Sequence, residues 1–184
     1  MRASLRLAVV LVSLPLAAAC YWRHPDHRAA ELIEDLRSPD ATAVDRAVRQ
    51  LVEMGEPAVP ALIQALKDPE ARVRNAAASA LWGLGPKARN AVPTLADALA
   101  DSDDGVRLGV VMALESVGRD AAAAVPALAR AVRDRDGNVR LWAAKALAKI
   151  GPPARSALPA LTEAARYDST RAAAEDAIRA IKTP

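Results

Sequence analysis

A proline recurs every 33 residues through most of the chain, at Pro60, Pro93, Pro126 and Pro159. Each proline is followed two positions later by a leucine. Self-similarity at a fixed period of roughly 20 to 50 residues is typical of a solenoid, in which similar units stack on one another. A solenoid presents an extended surface rather than an enclosed pocket. The period therefore predicts a stack of units whose default function is to hold a partner.

Each unit reads as two helices, and residues 58–84 are the clearest copy. The first apolar stripe has the i, i+3, i+4, i+7 spacing of a helix, here called helix A: Val59, Leu62, Ile63 and Leu66. A second stripe predicts helix B: Val73, Ala76, Ala77, Ala80, Leu81 and Leu84. We expect Asp68 to be the N-cap of helix B, and Gly85 to end it.

The same pair of helices recurs along the chain. The third and fourth units repeat the second almost position for position. The first unit, about 26–54, lacks the proline, and the fifth, about 154–181, loses about two residues from its inner loop. Terminal units of a repeat array are commonly atypical because they cap it. The sequence therefore predicts five units.

The repeats resemble HEAT repeats, in the bacterial branch related to the HEAT-like repeats of phycobilisome lyases. The resemblance covers Asp26 to Lys182. It depends on a Val-Pro-x-Leu motif in helix A, an aspartate in the inner turn, a Val-Arg pair at the start of helix B, and an Ala-Leu pair followed by a glycine at its end. In the clearest copy, the residues of the inner turn and helix B are Asp68, Val73, Arg74, Ala80, Leu81 and Gly85. It implies an all-α, right-handed α-solenoid of about five helical hairpins, with the B helices on the concave face. Repeats of this kind serve many unrelated binding roles.

The N-terminal residues 1–19 have the layout of an export signal. Arg2 and Arg6 precede an apolar run that ends in small residues, and Cys20, the one cysteine of the chain, follows directly. The segment 16–20 resembles a bacterial lipobox, in which the cysteine thiol receives a diacylglycerol. We therefore predict a lipoprotein signal peptide at 1–19, a lipidated tether at 20–26 and a HEAT-like repeat domain at 27–184. The alternative is an ordinary secreted protein.

The lipoprotein resemblance also implies a location. Tyr21, rather than an aspartate, follows the predicted lipidated cysteine. By resemblance to Gram-negative lipoproteins, this implies anchoring to the outer membrane, facing the periplasm. Without its first nineteen residues, which contain two arginines and no acid, the chain is almost neutral. We therefore expect no nucleic-acid partner.

The residue content argues against an enzyme. Nucleophilic catalysis requires a base beside a serine or cysteine, but neither histidine nor cysteine occurs after His27. His24 and His27 flank Asp26 in the segment that joins Cys20 to the first helix, but no third ligand follows at a defined spacing, so we expect no metal. We expect no cofactor and no small-molecule substrate either.

Charged residues also repeat with the period. Each arginine of one set follows an aspartate of the other by six residues: Arg74, Arg107 and Arg140 after Asp68, Asp101 and Asp134. The set is either a basic stripe that grips an anionic ligand or a structural ladder. In a ladder, each aspartate caps helix B and accepts hydrogen bonds from an arginine of its own or a neighbouring unit. The ladder is favoured because the acids repeat with the bases.

A less regular set on the B helices is a candidate binding surface. Positions one and five after the repeating arginine point away from the buried stripe. We predict an apolar patch on the concave face, formed by Trp82, Leu108, Val111, Met112 and Leu141, with Arg107 and Lys145 as its polar rim. The alternative is that crowding between repeats hides these side chains. Trp142 is expected to pack in the core.

These observations favour a non-catalytic, membrane-tethered scaffold or adaptor that binds a protein in the cell envelope. A lyase-like protein or chaperone that handles a chromophore, as the phycobilisome-lyase resemblance suggests, is the alternative. Export would separate it from cytoplasmic phycobilisomes, and no catalytic constellation is visible. Nucleic-acid binding, in the manner of HEAT-like DNA glycosylases, is a third hypothesis. The near-neutral charge disfavours it.

Overall fold

The computed structural model describes residues 25–183, so the predicted signal peptide, Cys20 and the tether as far as His24 lie outside the described residues. The described residues form ten α-helices and no strand, paired as five hairpins. The hairpins are α1 (Pro25–Asp35) with α2 (Ala41–Met54), α3 (Val59–Ala65) with α4 (Ala71–Leu84), α5 (Val92–Ala98) with α6 (Asp104–Val117), α7 (Val125–Ala131) with α8 (Gly137–Ile150), and α9 (Leu158–Ala164) with α10 (Arg171–Lys182).

The two helices of a hairpin differ in length. From the second hairpin to the fifth, each A helix has 7 residues and follows a 3₁₀ segment, whereas the B helices α4, α6 and α8 have 14. The four 3₁₀ segments are Glu56–Ala58, Gly85–Ala91, Gly118–Ala124 and Pro152–Ala157. The repeating proline lies in the first turn of each A helix. Its missing N–H costs nothing there, because the first amides of a helix have no intrahelical acceptor.

The prediction that Asp68 is the N-cap of helix B is wrong by two residues. Helix α4 begins at Ala71, with Glu70 at its N-cap position, while Asp103 and Asp136 cap α6 and α8 with their side chains. Asp68 lies two residues before the N-cap position and accepts a hydrogen bond from the Glu70 N–H at 2.9 Å. The repeating aspartate therefore stabilises the turn that leads into helix B rather than the first helical turn.

Each of the first four B helices is followed by a glycine with a positive φ. The φ values are 73° at Gly55, 57° at Gly85, 72° at Gly118 and 71° at Gly151. Residues with a Cβ rarely adopt this backbone conformation, whereas glycine adopts it without steric cost. The glycine therefore fixes the point at which the chain leaves helix B for the next 3₁₀ segment.

The core is one continuous layer between the A and B helices. Leu62, Leu95, Leu128 and Leu161, which recur at the sequence period, are all completely buried. Successive B helices pack directly on one another, whereas successive A helices contact one another only slightly. Small residues lie where B helices meet, because a Cβ on Gly109 would be 3.0 Å from the Ala78 Cβ, and one on Gly83 would be 2.7 Å from a Val52 methyl carbon. The closely packed B helices thus form the inner face of the stack, and the A helices form its outer face.

Candidate functional site

Trp82 on α4 is the clearest feature of the inner face. Its side chain is 46% exposed, and among residues 25–183 only Tyr167 is another large apolar side chain that is exposed. The outward-facing positions of α4, α6 and α8 are related by the 33-residue period: Asn75, Ser79 and Trp82, then Leu108, Met112 and Glu115, then Leu141, Lys145 and Ala148. On α4 and α6 this strip is neutral or apolar except for Glu115, whose carboxylate pairs with Lys149 at 2.9 Å.

A groove runs between α4 and α6 beside Trp82. It has a volume of about 200 Å³ and is lined by Asn75, Ser79, Trp82, Gly105, Leu108, Gly109 and Met112, here called the concave groove. The two glycines explain the space, because a side chain at either position would fill it. A Cβ on Gly109 would lie 3.0 Å from the Ala78 Cβ and 3.2 Å from the Asn75 Oδ1. The groove therefore combines apolar walls with a hydroxyl and an amide that can bond to a ligand.

The next unit fills the corresponding position. Trp142 lies one period after Gly109, is half-buried and packs against the core. The Lys145 Nζ lies 4.3 Å from the centroid of the Trp142 ring, at the distance of a cation–π contact. The expected core role of Trp142 is therefore met only in part. Leu141 beside it is half-buried, and Lys145 is exposed.

Two residues of the predicted patch are not on the surface. Val111 has no exposed area, and Arg107 is 4% exposed. Ala78 and Ala144, the period equivalents of Val111, are also completely buried. Each central B helix lies between two other B helices, so the side that carries Val111 faces a neighbouring helix. Of the predicted set, the inner face presents Trp82, Leu108, Met112, Leu141 and Lys145.

Arg107 belongs instead to a series of ion pairs that join consecutive turns. Arg74 donates from Nε and Nη2 to the two carboxylate oxygens of Asp101, at 2.7 and 2.8 Å. Arg107 donates to Asp134 in the same way, at 2.8 and 2.9 Å. The Nη1 of each arginine also donates to the backbone carbonyl of the aspartate in its own unit, Asp68 at 2.8 Å and Asp101 at 3.0 Å. Each arginine thus connects its own inner turn to the next.

The two ends of this ladder differ from its middle. Asp68 receives hydrogen bonds from Arg37, which lies outside the repeating arginines, with an Nη1 to Oδ1 distance of 3.2 Å. Arg140 donates from Nη1 to the Asp134 carbonyl at 2.9 Å and from Nη2 to the Ser169 hydroxyl at 3.3 Å. No carboxylate among residues 25–183 forms a hydrogen bond or ion pair with Arg140. The sequence did not indicate Arg37, because the first unit departs from the pattern.

The hydrogen bonds keep the ladder carboxylates charged. The Arg74 guanidinium holds the pKa of Asp101 below its usual value, against the opposing effect of burial. Burial alone would raise the pKa of Asp134, but hydrogen bonds from Arg107 and from the Asp136 N–H lower it by more. Burial likewise opposes the hydrogen bonds at Asp68, and the net pKa is again lowered. With their guanidiniums occupied by carboxylates, Arg74 and Arg107 do not form a basic stripe for a ligand.

Between residues 25 and 183, no group of three or more histidine, cysteine, aspartate or glutamate side chains is arranged to hold a metal ion. Within the same range, every helix is too short or too polar to cross a membrane.

Stacked helical hairpins with an open inner face define the protein as an all-α solenoid of the repeat-protein class. Within that class, the family described as HEAT repeats matches residues 29–115 and again residues 92–182. The chain therefore belongs to the HEAT-repeat family. No curated protein matches it.

Solved structures share the fold. The complex of CpcE and CpcF of phycocyanin lyase from Nostoc sp. PCC7120 contains a chain with a TM-score of 0.67 and 22% identity, and the match covers 83% of this chain and 96% of that one. An engineered protein also matches with a TM-score of 0.67 and 22% identity, over 85% and 81% of the two chains. A designed armadillo repeat protein in complex with the peptide (KR)4 has a TM-score of 0.64 and 16% identity, over 93% and 96%. At these identities the likeness concerns the fold alone.

Proposed function

We propose that the protein is a non-catalytic scaffold or adaptor that binds a partner protein through the inner face of its B helices. The observation that carries this proposal is the exposed Trp82 beside the concave groove. Covering a tryptophan ring removes a large apolar area from water. A partner that packs on Trp82 would therefore gain binding free energy from it. Exposed apolar surface of this kind commonly marks an interaction site.

The residues of the groove suggest how the partner is held. Trp82, Leu108 and Met112 offer an aromatic ring and two flexible apolar side chains, which suit an apolar anchor of the partner. Asn75 and Ser79, which share the α4 wall with Trp82, can bond to the partner's backbone. A designed armadillo repeat protein of similar fold was solved with a peptide bound, which supports a peptide segment as an occupant of this kind of solenoid.

We further propose that the protein is an exported lipoprotein anchored through Cys20, in the outer membrane facing the periplasm. The basic start, the apolar run and the small residues before the cysteine support this. Five residue steps separate Cys20 from the start of α1 at Pro25, so the tether spans at most about 17 Å. The inner face would then meet its partner close to the membrane surface. Cys20→Ser is expected to move the protein from the membrane fraction to the soluble fraction.

The binding proposal is tested by crosslinking in intact cells, followed by detergent extraction and mass spectrometry. The variant Trp82→Ala with Met112→Ala is expected to lose the crosslinked partner, because truncating an interface hot spot costs about 2 kcal/mol or more. Both side chains face outward, so circular dichroism and the unfolding midpoint should stay close to those of the unsubstituted protein. Gln64→Ala, at an exposed position of the outer helix α3, is the control and should retain the partner. Equal partner capture by the double variant would refute the inner face as the site.

A further inference from the structure

Arg140 has the geometry of a ladder arginine without a ladder partner. Its Nη1 donates to the carbonyls of Asp134 and Arg135, at 2.9 and 3.2 Å, as the Nη1 atoms of Arg74 and Arg107 do in their own turns. In those two arginines, Nε and Nη2 bind one aspartate carboxylate as a fork. The Nε of Arg140 is buried, and no acceptor among residues 25–183 bonds to it. The backbone thus holds the guanidinium in place, while its Nε and Nη2 edge has no anionic partner among the described residues.

The altered inner turn of the fifth hairpin explains the difference. Tyr167 lies one period after Asp134, where the preceding units have the ladder aspartate. The Ser169 hydroxyl reaches Arg140 instead, through one long hydrogen bond to Nη2. Asp168 pairs with Arg171 at 2.7 Å, and its side chain is 91% exposed. The acid of this inner turn is therefore paired within the fifth hairpin.

The Arg140 side chain lines an open cavity at this turn. The cavity has a volume of about 240 Å³ and is lined by Arg133, Asp134, Arg140, Glu163 and Tyr167. Both acids are already engaged, Asp134 by the Arg107 fork and Glu163 by Arg133 at 2.5 Å. The exposed Tyr167 ring and the half-exposed Arg133 stand at the mouth. The cavity therefore offers a guanidinium fork at its base and contacts for an adjoining chain at its rim.

We propose that this cavity binds the carboxylate of an aspartate or glutamate side chain of a partner protein. The carboxylate would take the place that the ladder aspartate has in the two preceding units, displacing the Ser169 hydroxyl and accepting from Nε and Nη2 of Arg140. Paired, charge-assisted hydrogen bonds of this kind are among the stronger polar contacts in proteins. A peptide is favoured over a free acid because only a peptide also contacts Tyr167 and Arg133. The site uses no residue of the concave groove, so the two proposals can fail separately.

The test follows the Arg140 Nε–H resonance of the intact, nitrogen-15-labelled protein, assigned by its disappearance in Arg140→Lys. The titrants are an end-blocked peptide of alternating glycine and aspartate, its asparagine counterpart, and acetate. The aspartyl peptide is expected to shift the resonance to saturation, with the asparagine peptide and acetate about tenfold or more weaker. The Arg107 Nε–H, which is already paired, should not move. An equal response to acetate or to the asparagine peptide would overturn the assignment, as would no response to any titrant.

Two variants separate binding from a structural role. Ser169→Asp supplies a carboxylate from the turn itself, so it is expected to raise the unfolding midpoint and abolish the peptide response while the protein stays folded. Asp168→Asn tests whether Asp168 itself binds Arg140 in the absence of a partner. We expect the Arg140 Nε–H resonance of the unliganded variant to be the same as in the unsubstituted protein. If Asp168→Asn moved that resonance to a new position, Arg140 would already have an internal partner and the proposal would be wrong. A full peptide response in Ser169→Asp would also contradict it.

Discussion

Arg107 and Asp134 show why the charged residues of this chain repeat together. The guanidinium is almost completely buried, and an unpaired charge there would cost several kcal/mol. Asp134 supplies two oxygens to Nε and Nη2, and the Asp101 carbonyl accepts from Nη1. One arginine thus satisfies the polar groups of two successive turns. The pair therefore holds the inner turns of neighbouring hairpins together at the edge of the stack, where apolar packing alone would not fix their distance.

The ladder predicts an acid-sensitive stability. A carboxylate whose pKa is lowered by folding stabilises the protein above its unfolded pKa of about 3.8, and this contribution is lost as the pH falls through the folded value. We therefore expect the free energy of unfolding to fall steeply below about pH 4. Asp101→Asn should lower that free energy at neutral pH and make its fall in acid shallower. Urea unfolding across the pH range measures both effects. Asp168→Asn, at a mainly exposed carboxylate, is the control, and equal acid slopes in all three proteins would contradict the argument.

At the scale of single residues, the period predicted which groups recur but not how deeply each is buried. The repeated acids predicted that Arg74 pairs with an aspartate of its own or a neighbouring unit, and the carboxylate that it binds is that of the following unit, 27 residues away. The prediction that Val111 and Arg107 are exposed was wrong, because the apolar stripe of a single helix does not show which of its other sides contact neighbouring helices. A B helix in the middle of the stack is covered on two sides by other B helices. Only residues on the remaining narrow side, such as Trp82, stay in contact with solvent.

The hairpin is the element that the sequence specifies most fully. Proline marks the first turn of each short A helix from Val59–Ala65 onward, and a glycine marks the end of each B helix except the last. What the pattern did not predict is the 3₁₀ segment between hairpins, such as Gly85–Ala91. Alanine and proline in that segment are compatible with either helix type. The choice depends on how the chain must turn after the glycine, which is a tertiary constraint.

The glycine stop can be tested without changing any packing. A Cβ at Gly118 would have no atom within 4 Å, so a clash cannot explain a loss of stability there. Its φ of 72° is nevertheless strained for any other residue, and Gly118→Ala is expected to cost about 1 to 3 kcal/mol. Gly137 is the matched control, because it lies in the first turn of α8, where alanine favours the helix. Gly137→Ala should be neutral or stabilising by up to about 1 kcal/mol in urea unfolding. Equal effects of the two substitutions would refute the role assigned to φ.

For the whole molecule, stability is shared between neighbours. No hairpin encloses its own core, because successive B helices pack directly on one another. In such an array, stability is approximately the sum of unit and interface contributions. The five-hairpin stack could be predicted from the sequence because the period is regular. The concave groove could not, because it depends on Gly105 and Gly109, whose missing side chains leave a gap only when two B helices are stacked.

This view predicts that one whole period can be removed. Deleting residues 92–124 joins Ala91 to Val125. Val125 lies one period after Val92, the residue that follows Ala91 in the full chain, so the new junction keeps the sequence of the old one. Arg74 would then lie one unit before Asp134 and could bind it as it binds Asp101 in the full chain. We expect a cooperatively folded, less stable protein with unchanged helicity per residue, and a urea m-value lower by about a fifth, because m scales with the surface exposed on unfolding. Deleting residues 92–108, about half a period, breaks the register of every later helix. Circular dichroism and urea unfolding should therefore show that the half-period variant is largely unfolded, and an equally well-folded half-period variant would be incompatible with stacking of equivalent units.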